Sequence, residues 1–378
     1  MRAPEAWDLS QGEGITVAVV DTGIDAEHPD LAANVWVNSG RGPEPRRRRG
    51  SRPISTASTT ISNGFIDDLH GFDFANSVDA DGDGDYDDPG DVSDPDPFDD
   101  FGHGTHVAGT IAAIANNGIG VAGVAPRARL MAVKGFKASG STPDSILARA
   151  MVYAADNGAR VINNSWSCST RCPRNLVLEL AQAYAASLGV VVVTSAGNRN
   201  DDVMFYSPKW RYDNVVVGAT DDRDRPAIFT NYGLLVSVVA PGSGDFFQPG
   251  ILFPQRAILS TRSSGAGSTP TAEARSRSAA NTCAGSARRC RRRTSRGSPR
   301  SCSPCTPIAS PAEVRAVIRG TARDLGEPGF DIATGAGLAD AARAVQSPRP
   351  TVRAQFTAPM PGAAVVSRRG IASRSAPP

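Results

Sequence analysis

A glycine-flanked histidine opens an apolar, helix-like stretch at Gly102-His103-Gly104-Thr105-His106-Val107-Ala108-Gly109-Thr110. It constrains the fold most when set beside Val17-Ala18-Val19-Val20-Asp21-Thr22-Gly23. That second stretch is a β-branched run that ends on a carboxylate and then a glycine turn. The pattern predicts a strand that delivers Asp21 at its carboxyl end and a helix that presents His103 at its start. An aspartate and a histidine so placed are two members of a charge relay whose third is a nucleophile.

The rest of the chain alternates in the same way. Ile15–Val20, Arg129–Val133, Val161–Asn164, Val190–Thr194, Val215–Gly218 and Val236–Ala240 read as buried strands. Helical patterns lie between them. Thr142-Pro143 suggests an N-cap followed by proline at the first helical position, with Gly158 as the stop. Asn175–Leu188, stopped by Gly189, is a second helix, and Ser310-Pro311-Ala312-Glu313 is a capping box that opens another. Strands alternating with helices predict an α/β fold, a doubly wound parallel sheet with helices on both faces. Ligands bind such sheets at the carboxyl ends of strands, where Asp21, Asn164 and the Ser195–Asn198 turn fall.

In this order these residues resemble the subtilisin-like serine peptidases, the subtilases. Asp21-Thr22-Gly23-Ile24-Asp25 is similar to the family's aspartate motif, with His28-Pro29-Asp30-Leu31 after it. Gly102–Thr110 is similar to the histidine motif, Ser195-Ala196-Gly197-Asn198 to the oxyanion-hole motif, and Val161–Trp166 to the strand lining the specificity pocket. The resemblance covers about residues 3–345. It implies a serine endopeptidase acting on polypeptides. Asp21 would orient the imidazole, His103 would be the base, and Asn198 would donate to the oxyanion. Asn164, Ser165, Trp166 and Ser167 would line the substrate. It also implies an extracellular monomer with no organic cofactor and no nucleic-acid or membrane partner. Met1–Trp7 lacks the apolar core of a signal peptide, and no apolar run is long enough to cross a membrane.

The nucleophile is missing from this pattern. The family carries Gly-Thr-Ser-Met-Ala at the start of an apolar helix, shortly before the position of Ser310. Here the chain reads Ser286-Ala287-Arg288-Arg289-Cys290-Arg291-Arg292-Arg293, with no helical apolar period. Shifted codons explain it. Joining the last base of one codon to the first two of the next lets Ser286–Cys290 spell Gly-Thr-Ser-Met. The agreement continues to Ile308, just before the in-frame capping box. On this reading residues 262–308 are out of frame, and the serine codon straddles Arg288 and Arg289. Segment 39–61 behaves alike. A shifted reading from Pro53 spells an acidic loop that rejoins at Asn63.

Charge supports the shift. The two segments hold 16 of the 40 Lys and Arg but 2 of the 38 Asp and Glu. The remainder, with 24 basic and 36 acidic side chains, carries −12 rather than the formal +2. The arginine runs therefore read as codon accidents rather than as a nucleic-acid surface.

Asp79, Asp81, Asp83, Asp85 and Asp87, with Gly84 at the sixth position, match the opening of a calcium loop. Its twelfth position is Gly90 instead of a glutamate, and a solvated acidic loop is the alternative. Cys168 and Cys172 form either a local disulfide or two free thiols. Residues 1–345 are expected to form one peptidase domain, with 39–61 and 262–308 as irregular interruptions. Residues 346–378 are expected to be a linker and tail, or the stub of a β-domain. A competing reading is a pseudopeptidase that binds peptides or calcium without catalysis.

Overall fold

The computed structural model describes residues 1–38, 65, 68–78, 92–137, 139–242, 258–265 and 309–348. Eight strands form one sheet: β1 Thr16–Asp21, β2 Gly71–Val78, β3 Val92–Asp94, β4 Arg129–Lys134, β5 Val161–Asn164, β6 Val191–Ser195, β7 Val215–Thr220 and β8 Val238–Pro241. Their order across the sheet is β3-β2-β4-β1-β5-β6-β7-β8. All neighbours are parallel except β2 with β3. The helices are α1 Ala3–Trp7, α2 His103–Ala112, α3 Asp144–Asp156, α4 Leu176–Ser187, α5 Pro311–Thr321 and α6 Ala341–Gln346. The expected α/β architecture is present.

Alternation along β1 explains why both faces are covered. Val17 and Val19 join a core with Val107, Ala108 and Ile111 of α2 and Ile318 of α5. Ala18 and Val20 join the opposite core with Ile146 and Met151 of α3 and Leu178 and Ala181 of α4. A period of two sends successive side chains to opposite faces, so a strand sheathed on both sides reads as continuously apolar. The chain moves outward from β1 to β2 and β3, returns through β4, then crosses to β5 on the other side. β1 is thus where the winding reverses, and its carboxyl end carries Asp21.

The six strands read from the sequence are present, with ends shifted by up to two residues. The helix signals also appear. Asn175 caps α4, its side chain accepting from Leu178 N. Ser310 and Glu313 form both bonds of the capping box on α5. The helix expected after Thr142 differs in its start. It begins at Asp144, with Pro143 itself at the capping position and no side-chain cap. The proline's extended ψ of 149° explains this, because it places Pro143 outside the helix.

Cys168 and Cys172 are joined by a disulfide, which decides between the two alternatives in this structure. Among the described residues, no helix is long and apolar enough to cross a membrane. The described part of 262–308 is its first four residues. Ser263 donates to the Asp99 carbonyl, and Ser264 N donates to Asp25 Oδ2 at 2.9 Å.

Candidate active site

Asp21 ends β1 and is 2% exposed. His103 is the first residue of α2. Its Nδ1 lies 2.6 Å from Asp21 Oδ1, which also accepts from Thr22 N at 2.8 Å. An ionised carboxylate only accepts, so Nδ1 is the donor. In the neutral ring, Nε2 then carries the lone pair that a general base needs.

Backbone sterics set this approach. Gly102 precedes α2 with φ 101°, a left-handed conformation that costs other residues strain. Gly104, one turn-step past the histidine, lies against the end of β1, and a Cβ there would overlap the Gly23 carbonyl oxygen. Helix and strand can close on each other only because that side chain is absent.

Asp99 was not singled out by the sequence, yet it organises the pair. It is 0% exposed. Its Oδ1 accepts from Gly102 N at 2.7 Å, Phe101 N at 3.1 Å and Thr22 Oγ1 at 2.8 Å. Its Oδ2 accepts from Thr105 N at 2.8 Å, and Thr22 Oγ1 in turn accepts from Gly104 N at 2.9 Å. One carboxylate therefore ties the residues flanking His103 to the residue beside Asp21. Burial pushes the Asp99 carboxyl above its ordinary range, against hydrogen bonds that pull it down. Asp99 is one of four aspartates in Asp94–Asp100, and no local signal separates it from the others.

The stretch expected to line the substrate follows β5, beside β1 in the sheet. Asn164 is fully buried, and its Nδ2 lies 3.3 Å from Met151 Sδ on α3. Ser165 Oγ accepts from Asn163 Nδ2 at 2.8 Å. Trp166 Nε1 donates to Val20 O at 3.1 Å, and its ring lies 6.1 Å from that of Phe136. Their side chains anchor the segment, which leaves its backbone for an extended partner. Ser167 Oγ is buried without a hydrogen-bond partner among the described residues. Asn198 is exposed in the turn after β6, where Gly197 has φ 107°. Asn231 braces that turn, donating to Ala196 O at 3.1 Å and accepting from Arg199 N at 2.8 Å. β1, β5 and β6 are parallel neighbours, so Asp21, Asn164–Ser167 and Ser195–Asn198 share one edge of the sheet.

Asp79, Asp81, Asp83, Asp85 and Asp87 lie outside the described residues, as does the sequence around Arg288 and Arg289. Among the described residues no group of three or more His, Cys, Asp or Glu side chains is placed to hold a metal ion.

The chain thus sets a buried aspartate against a partly exposed histidine at the central carboxyl edge of a mostly parallel α/β sheet, and comparison with known proteins identifies the family. The sequence model of the subtilase family matches residues 12–337, and the chain belongs to that family. It is 39% identical over 239 residues to a thermophilic serine proteinase of Bacillus sp. strain AK1, covering 63% of this chain and 46% of that protein. It is 34% identical over 243 residues to thermitase of Thermoactinomyces vulgaris, covering 64% of this chain and 68% of that protein. Among solved structures, a protease from Pseudoalteromonas arctica aligns with a TM-score of 0.59 at 28% identity, over 91% of this chain and 93% of that one. Fervidolysin from Fervidobacterium pennivorans, a keratinolytic enzyme related to subtilisin, aligns at 0.59 and 25% identity over 92% of this chain and 44% of its own. The matched region thus spans less than half of the first of these relatives.

Proposed function

We propose that this chain is a serine endopeptidase domain written without its nucleophile. The observation that carries the reading is the 2.6 Å contact between His103 Nδ1 and Asp21 Oδ1. In this reading Asp21 holds the imidazole in one tautomer and stabilises its cation. His103 Nε2 takes the proton of a serine hydroxyl as that oxygen attacks a peptide carbonyl, then returns it to the leaving amine. Asn198 donates to the oxyanion, and losing one such donor costs about 3–4 kcal/mol of transition-state stabilisation. An extended polypeptide adds as a strand along Ser165–Ser167. The serine belongs to the frame in which its codon straddles Arg288 and Arg289, and a repeat nucleotide sequence across both odd segments checks that frame.

The hydrolytic test uses a frame-repaired chain and an unfolded polypeptide substrate. The repaired chain is expected to cleave it, and Asp21→Asn to lower kcat about 10⁴-fold by leaving His103 in the wrong tautomer. An Asp21→Asn variant as fast as its parent would overturn the assignment.

The absence of any Gly-Thr-Ser-Met-Ala string favours a second reading, in which the chain as written only binds peptides. Both readings place it outside the cell as a monomer, with polypeptide partners rather than nucleic acid or membrane. The calcium reading of Asp79–Asp87 rests on residue pattern alone. Calcium should raise the melting temperature, and an unchanged melt would refute it.

A further inference from the structure

Both hydrogen bonds that Asp21 accepts, from His103 Nδ1 and from Thr22 N, fall on Oδ1. Its Oδ2 is buried without a hydrogen-bond partner among the described residues. A carboxylate held by one oxygen can swing, because the terminal torsion of an aspartate is broad rather than locked in staggered wells. Keeping Oδ1 on the imidazole therefore depends on a Thr22 amide that does not move.

Thr22 is held at its side chain. It is 4% exposed. Its hydroxyl donates to Asp99 Oδ1 at 2.8 Å and accepts from Gly104 N at 2.9 Å. These directions follow from the partners. Asp99 also accepts from the amides of Phe101, Gly102 and Thr105, so it is the acceptor for the hydroxyl proton as well. That leaves a hydroxyl lone pair for Gly104 N. Gly102 and Gly104 flank His103 in the chain. The same carboxylate thus fixes the histidine's side of the pair through backbone amides and the aspartate's side through one hydroxyl. We infer that Thr22 is a positioning residue of the relay, its hydroxyl clamped between Asp99 and Gly104 so that the Asp21 carboxylate stays in register with His103 Nδ1. A hydroxyl that merely stabilised the fold would leave that contact unchanged when removed.

This deepens the relay reading above, and the test separates the two. The chain as written, labelled with nitrogen-15 at histidine, is followed by NMR in mildly acidic solution. The Nδ1 proton of His103, assigned by its loss in His103→Gln, is expected far downfield, as a short charge-assisted bond requires. Thr22→Val keeps the shape and deletes the hydroxyl. It is expected to move that signal upfield and to speed its exchange with water about fivefold, with the His28 and His70 signals unmoved. Thr22→Ser returns the hydroxyl and is expected to return the signal. A Thr22→Val signal at the parent position overturns the positioning role and leaves the relay standing. So does a Thr22→Ser chain that fails to restore it. Loss of cooperative unfolding in either variant makes the hydroxyl structural and overturns the inference equally. A parent chain with no downfield Nδ1 proton overturns the Asp21–His103 contact, and this inference with it.

Discussion

At the scale of single residues, two buried charges do opposite things. Asp99 is satisfied on both oxygens, and its bonds converge on the backbone around His103. Removing it leaves three amides and the Thr22 hydroxyl unpaired in the interior. Asp99→Ala is therefore expected to destabilise the chain by about 3 kcal/mol, read from the urea midpoint. A loss below about 1 kcal/mol would show that water replaces the carboxylate. Lys209 is the reverse case, buried and without a hydrogen-bond partner among the described residues. Its folded-state value of about 7 lies below the ordinary 10.5, so the unfolded chain binds more protons between those limits. Stability is then expected to rise with pH from about 7 to 10.5, because the penalty is full below that window and absent above it. Lys209→Met should flatten this slope in chemical denaturation across that range, and an unaltered slope would assign it to another group.

At the scale of elements, α2 and β1 make the site by touching closely. Gly104→Ala adds one carbon where the Gly23 carbonyl already sits. The helix must back away, at a cost of about 1–3 kcal/mol. Both the melting temperature and the cleavage rate of a repaired chain are expected to fall, and a variant that lost neither would show the contact to be slack. Elements like β1 were legible because a strand sheathed on both faces leaves an unbroken apolar run. β2 was not. Its Gly71-Phe72-Asp73-Phe74-Ala75-Asn76 was not among the strands read from the sequence, because Asp73 interrupts the apolar run. Asp73 is tolerated there because it lies 3.4 Å from the buried Lys134 ammonium across the parallel pair. That partner is 61 residues away, beyond any local pattern. Asp99 escaped for the same reason, since its role comes from tertiary contacts rather than spacing. Asp21 and His103 were visible because glycines mark the close approach on both sides.

At the scale of the whole molecule, one sheet sets the relay at the centre of its carboxyl edge, in a chain of the subtilase family whose apparent charge conceals an acidic body. On the proposed frame, the arginine-rich stretches replace the family's acidic loop and nucleophile helix. The proposed function pairs the observed Asp21–His103 contact with a serine assigned to the shifted frame. Labelling with a fluorophosphonate, which modifies only an activated serine, tests that pairing most directly. The chain as written should remain unlabelled, and the chain repaired across 262–308 should be labelled in a manner abolished by His103→Ala. Labelling of the unrepaired chain, or labelling of the repaired chain that persists without His103, would contradict it.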